Sequence, residues 1–333
     1  MKTTAVLGAG SWGTALAVHL AKAGHHVRLW ARDAALVEEL RHIRQNQRYL
    51  PGIAIPDAIA PTASLDDALQ DARFVLVAVP SHGFRAVVRQ AALVITRQAI
   101  IVSATKGLEV DTLQRMSQVI ESETSGTCRS AVLSGPSFAL ELARGLPTAV
   151  LAASADASAV AALQEHFRSS ALRLYASDDV AGVEIGAALK NVIAIAAGAV
   201  EGLGLGHNAL AALITRGLAE MSRLACAEGG RRDTLAGLSG LGDLVLTCTG
   251  DLSRNRRVGL ELGRGRALED ILGGMRMVAE GVRTTGAALA LGAKHGIELP
   301  IAAQMQEVLE GRTPPLSAVE ALMGRRQRAE TDG

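Results

Sequence analysis

Three stretches of this chain carry residue types suited to chemistry rather than to filling a core. The first holds Lys190-Asn191, set within an apolar helical run from Val180 to Val200. On a helix Lys190 shares its face with Val183, Gly186, Ala187, Ala194 and Ala197, whose small size lets another surface come close. An amine desolvated in that way moves toward the pKa range useful for proton transfer, whereas a lysine snorkelling from a helix edge would stay an ordinary cation. Glu184 and Asn191 lie on a neighbouring face and are candidates to orient it. The second stretch is Ser253-Arg254-Asn255-Arg256-Arg257, a capping serine followed at once by basic residues. Cations there oppose the helix dipole at roughly 0.3–1 kcal/mol each where exposed, and a phosphate gripped by guanidinium and helix amides reverses that sign. The third is Gly8-Ala9-Gly10-Ser11-Trp12-Gly13. Gly8 permits a tight turn, Gly10 lets backbone approach a pyrophosphate, and Gly13 lets a helix pack close to a strand.

The elements that must position these groups are legible around them. Thr3 to Leu7 is a β-prone run that ends in glycine, and helical spacing runs from Ser11 to Ala23 with Gly24 as a stop. Strand, glycine turn and helix in succession are the context that makes the glycine pattern a dinucleotide site. His26 to Ala31 reads as the second strand, ending at Arg32-Asp33, where this fold meets the adenosine ribose. Arg32 stands first and suits a 2′-phosphate, so NADPH is the expected cofactor, with NADH possible through the acidic neighbour. Arg41 to Pro51 is basic and turn-rich, and reads as a solvated loop.

Further strands are expected at Phe74 to Val79, Ala99 to Ser103, Ala131 to Leu133, Thr148 to Ala152 and Leu172 to Tyr175. Their alternation with helices predicts a doubly wound parallel sheet. Lys106, in Thr105-Lys106-Gly107, follows one strand end and suits an anionic ligand; Gly135-Pro136 turns after another, with Ser137 expected to cap the next helix. Beyond Ser177 strand signals stop and alanine-rich helices take over, which divides the chain into a dinucleotide-binding domain at 1–178 and a helical domain at 179–333. In the latter, Gly237 to Leu244 reads as a tight glycine turn delivering Asp243, as a cap or as a partner for a catalytic lysine. Val278 and Glu280 open a later helix.

Composition narrows the classes. The 333 residues carry 34 basic and 33 acidic side chains and 2% aromatics, which argues against nucleic acid as a partner. Cys128, Cys226 and Cys248 have neither disulfide nor zinc spacing, as expected of a reducing compartment. The apolar core of the long helix, Val192 to Val200, is short for a bilayer, so no membrane insertion is expected.

Taken together, the motifs resemble NAD(P)-dependent glycerol-3-phosphate dehydrogenases of the bacterial type. The matching pieces are Gly8 to Ala15, Thr105 to Glu109, Ser134 to Ala139, Gly186 to Asn191, Gly237 to Leu244, Ser253 to Arg256 and Val278 to Gly281, in family order. The resemblance implies a Rossmann domain followed by an all-α domain of the 6-phosphogluconate-dehydrogenase type, a homodimer, a cytoplasmic location, and reduction of dihydroxyacetone phosphate to sn-glycerol 3-phosphate for glycerophospholipid synthesis. It further implies that Ser11, Trp12, Arg32, Lys106 and Ala139 contact the cofactor, with Arg254, Val278 and Glu280 closing over it. Lys106, Gly135, Ser137, Lys190, Asp243, Ser253, Arg254 and Asn255 would hold the substrate, Lys190 would carry the proton, and no metal is required. Two other readings share parts of this pattern. A β-hydroxyacid dehydrogenase would want a carboxylate site in place of the basic turn, and a nucleotide sensor would have no use for Lys190.

Overall fold

The computed structural model describes residues 3–275, 278–327 and 329. It divides into two compact units, one of residues 1–106 and 114–180, the other of residues 107–113 and 181–333.

In the first unit strands and helices alternate: β1 (Thr3–Leu7), α1 (Ser11–Lys22), β2 (His26–Trp30), α2 (Ala34–Ile43), β3 (Gln45–Asn46), β4 (Leu50–Ala54), β5 (Ile59–Thr62), α3 (Leu65–Leu69), β6 (Ala72–Val77) and α4 (Ser81–Ala92). They continue with β7 (Ile100–Ser103), α5 (Met116–Thr124), β8 (Arg129–Ser134), α6 (Ala139–Arg144), β9 (Thr148–Ala153), α7 (Ala157–His166) and β10 (Leu172–Ser177). An eight-stranded sheet has the order β10-β9-β8-β7-β6-β1-β2-β5, with β3 and β4 paired apart from it. Side chains alternate between two cores. Val6, Leu29, Phe74, Leu76, Ile100 and Val102 face one side, while Ala5, Leu7, Val75, Val77 and Ile101 face the other. Burial on both faces is what turns these strands into continuous apolar runs.

The expectation of a wholly parallel sheet needs one correction: β8 and β9 are antiparallel, Ser134 opposite Leu151 and Val132 opposite Ala153. The helix joining them, α6, has six residues and so spans about 9 Å, against about 20 Å for a six-residue strand. It does not return the chain to the far end of the sheet, so the next strand runs back. A second correction concerns residues 41–51, which are the end of α2 and the β3–β4 hairpin rather than a solvated loop; Asn46 within them is fully buried.

The second unit is helical: α8 (Val180–Gly202), α9 (Gly206–Ala227), α10 (Arg232–Ala236), a π-helical turn at Leu238–Gly242, α11 (Asp243–Thr249), α12 (Arg254–Gly263), α13 (Leu268–Gly273), α14 (Glu280–Lys294), α15 (Pro300–Leu309) and α16 (Pro315–Met323). The tight turn expected at Gly237 to Leu244 is thus a widened helical turn that runs straight into α11. By length and composition α8 could cross a membrane, but 89% of its apolar window is buried inside the protein, as befits the central helix of a core. Glycines set how closely α12 approaches it. A Cβ on Gly198 would overlap the carbonyl oxygen of Arg256, one on Gly259 that of Ile195, and one on Gly202 that of Leu260. The two helices therefore touch backbone to backbone.

Candidate active site

The first unit's candidate residues begin at the glycine turn. Gly8 has φ +118°, and a Cβ there would lie 2.7 Å from the oxygen of Ala78, so only glycine fits. A Cβ on Gly13 would strike the Gly8 carbonyl, which explains the close strand–helix packing. Gly10 faces open space, with nothing within 4 Å of where its Cβ would stand. No side chain caps α1, and the positive end of its dipole lies at this turn. Trp12 keeps a buried indole N–H without a partner among the described residues. This cradle fits the pyrophosphate of a dinucleotide on geometry and on unmet hydrogen-bonding capacity alike. Arg32 lies exposed just past β2 and Asp33 caps α2, its carboxylate accepting from the amides of Ala35 (3.0 Å) and Leu36 (3.3 Å).

Lys106 follows β7 and reaches across to the loop after β8. Its ammonium donates to the Gly135 carbonyl at 2.8 Å and to the Ser137 hydroxyl at 3.2 Å. Three expected site residues are thereby brought together. Ser137 does not cap α6, as its sequence position suggested. The cap position falls on Phe138, and the Ser137 hydroxyl donates to Gly135 instead. Ala139 is the first residue of that uncapped helix.

In the second unit Lys190 is buried in the middle of α8 and meets Asp243 at 2.5 Å and the Thr247 hydroxyl at 2.9 Å. Asp243 and Thr247 stand four apart on α11, one face of one helix. The Thr247 hydroxyl donates back to the Asp243 carbonyl, which turns its lone pair toward the ammonium. Close approach at Lys190 is supplied by the widened turn, since a Cβ on Gly186 would lie 2.9 Å from the oxygen of Ser239. The sequence left Asp243 open as a helix cap or as a lysine partner; it is the partner, and Lys190 is half of a buried, hydrogen-bonded ion pair. Thr247 escaped the sequence reading, and its signal was its spacing from Asp243.

Asn191 serves another partner. Its side-chain oxygen accepts from Asn255 Nδ2 at 2.9 Å, and Asn255 Oδ1 accepts from the Gly281 amide at 3.0 Å. These two bonds tie the Lys190 helix, the start of α12 and the start of α14 into one cluster. Ser253 caps α12 as expected, accepting from the Arg256 amide at 3.2 Å. Arg254 is exposed at the first helical position, and Glu280 opens α14 beside the Gly281 amide, after half-buried Val278. Arg256 is turned away to Glu201 (2.8 Å) and Asp251 (3.1 Å), so it belongs to the frame. Cys248, next to Thr247, is an inert thiol: burial pushes it up to about 12. Among the described residues no group of three or more metal-ligating side chains occurs.

Comparison with known proteins agrees with this arrangement. Residues 3–160 match the family model for the NAD-dependent glycerol-3-phosphate dehydrogenase N-terminus, and residues 179–320 that for its C-terminus. A glycerol-3-phosphate dehydrogenase [NAD(P)+] of Acidobacterium capsulatum is 54% identical, over 99% of this chain and 100% of that one. One of Geobacter sulfurreducens is 52% identical over 98% of each. The crystal structure of glycerol-3-phosphate dehydrogenase from Coxiella burnetii superposes with a TM-score of 0.94 at 42% identity, covering 97% of this chain and 99% of that one. A ketopantoate reductase from Ralstonia eutropha, 17% identical with a TM-score of 0.60, shares the fold alone. Glycine cradle, buried lysine–aspartate pair and matched halves agree, and the chain belongs to the NAD-dependent glycerol-3-phosphate dehydrogenase family.

Proposed function

We propose that this chain reversibly reduces the C2 carbonyl of dihydroxyacetone phosphate to give sn-glycerol 3-phosphate, using NADPH and, less readily, NADH. The observation that carries the reading is the buried Lys190–Asp243–Thr247 cluster in the same unit as the Asn255-anchored start of α12. The bound nicotinamide supplies the hydride; the chain supplies position, charge and the proton.

Lys190 donates its proton to the C2 oxygen as the carbonyl becomes an alcohol, and takes it back in the reverse direction. Asp243 fixes the amine in direction, with Thr247 as the second anchor. Lys106, held by Gly135 and Ser137, adds positive charge toward the same substrate. Arg254, with Asn255 and the Ser253-capped helix start, grips the phosphate, so that binding energy far from the reacting carbon orients it. Ser11, Trp12, Arg32 and Ala139 serve the cofactor, with Val278 and Glu280 from the second unit. We further propose a cytoplasmic homodimer that feeds glycerophospholipid synthesis.

The test is NADPH oxidation by the purified chain. Oxidation should depend on dihydroxyacetone phosphate and fall by several orders of magnitude with unphosphorylated dihydroxyacetone. Equal rates with both ketones would remove the phosphate site, and a substrate-independent rate would remove the reading.

A further inference from the structure

We propose that Arg48 is a specificity-determining residue, setting the preference for a 2′-phosphorylated cofactor by holding Asp33 away from the ribose and adding its own guanidinium to that of Arg32. The inference rests on the nucleotide reading of the first unit.

The β3–β4 hairpin is strapped onto the glycine turn. Asn46 donates to the Ala9 carbonyl at 2.9 Å and to the Thr14 hydroxyl at 2.8 Å, and its oxygen accepts from the Tyr49 amide at 3.0 Å. From the other side the Ser11 hydroxyl donates to the Tyr49 carbonyl at 2.6 Å. The hairpin tip is therefore fixed relative to the pyrophosphate cradle, and so is Arg48, which lies between the two anchors. Its guanidinium packs on the Tyr49 ring, 5.1 Å from the centroid, and reaches Asp33 Oδ2 at 3.3 Å.

Asp33 is thus engaged at both oxygens, Oδ1 by the start of α2 and Oδ2 by Arg48. In this fold an acidic residue past the second strand binds the ribose diol when it is at liberty. Here it is committed, while Arg32 makes no hydrogen bond or ion pair among the described residues. Two guanidiniums against one carboxylate leave a net positive corner. A 2′-phosphate draws Arg48 from Asp33 onto a dianion and also meets Arg32. A 2′-hydroxyl offers Arg48 nothing better than Asp33, so NADH leaves that contact unused.

The test is calorimetric binding of two fragments, 2′,5′-ADP and 5′-AMP, to the purified chain and to Arg48→Gln, with melting temperatures as a check on folding. Arg48→Gln should weaken 2′,5′-ADP by about ten- to a hundredfold, the usual worth of a charge-assisted contact, and leave 5′-AMP within about twofold. Asp33→Asn, which keeps the cap and frees Arg48, should tighten 2′,5′-ADP. Overturning results are an unchanged ratio of the two affinities in Arg48→Gln, or equal weakening of both fragments. If the unaltered chain binds neither fragment nor NADP+, the nucleotide reading falls too. If it binds them and the ratio stays put, the Arg48 assignment alone falls.

Discussion

Burying an ammonium is costly unless a carboxylate shares the site, and at Lys190 one does. Asp243 and Thr247 hold the amine at a fixed point rather than leaving it to sample rotamers, which is what a proton donor to one substrate oxygen requires. Glu220 shows the opposite case, a buried carboxylate with no cation at hydrogen-bond distance among the described residues. It accepts from the amides of Ile301 (2.7 Å) and Ala302 (3.4 Å), capping α15 from α9, and burial pushes its carboxyl up to about 7. The folded chain holds this proton more tightly than the unfolded chain does. The stability it contributes is therefore complete below about 4.5 and is lost as pH rises to about 7. Glu220→Gln, which mimics the protonated acid, should match the parent in melting temperature at pH 5 and exceed it by several degrees at pH 8. Parallel curves across that range would contradict the assignment.

At the scale of elements, the site is held by helices that glycine allows to touch. Gly198 and Gly202 on α8 face Gly259 and Gly263 on α12, and a Cβ at each would meet backbone of the other helix. Gly259→Ala should force the axes apart and destabilise the chain by roughly 1–3 kcal/mol, as overpacking does. Because Asn255 and Arg254 begin α12, the same change should raise KM for dihydroxyacetone phosphate more than KM for NADPH. An equal rise in both would argue against the α8–α12 contact as the positioning element. Much of this was legible in sequence. Thr3 to Leu7 and the helix from Ser11 are found where their patterns place them, because strand burial and the glycine turn are local signals. The cap at Ser253 is local too. What was not legible depends on tertiary geometry: the reversed β9 follows from how far α6 travels, and the strapped hairpin from a buried Asn46 bonding to a turn 37 residues earlier. Thr247 is found by Lys190 across 57 residues, with only its four-residue spacing from Asp243 as a local sign of that partner.

At the scale of the whole molecule, two separately packed units serve two tasks. The first unit packs both faces of a sheet and carries the glycine turn with open space at Gly10. The second packs helices around α8, where a buried lysine is stable only because another helix brings an aspartate. Net charge of +1 fits a small anionic substrate met by local cations rather than by a field over the whole surface. The central claim is that Lys190 moves the proton while the first unit binds the nucleotide independently of it. The direct measurement pairs kcat for dihydroxyacetone phosphate reduction with calorimetric NADPH affinity in Lys190→Ala. The account predicts that kcat falls at least about 10²-fold, the usual scale of general acid–base catalysis, while NADPH affinity stays within about threefold. A variant that keeps kcat within a few-fold of the parent would contradict it.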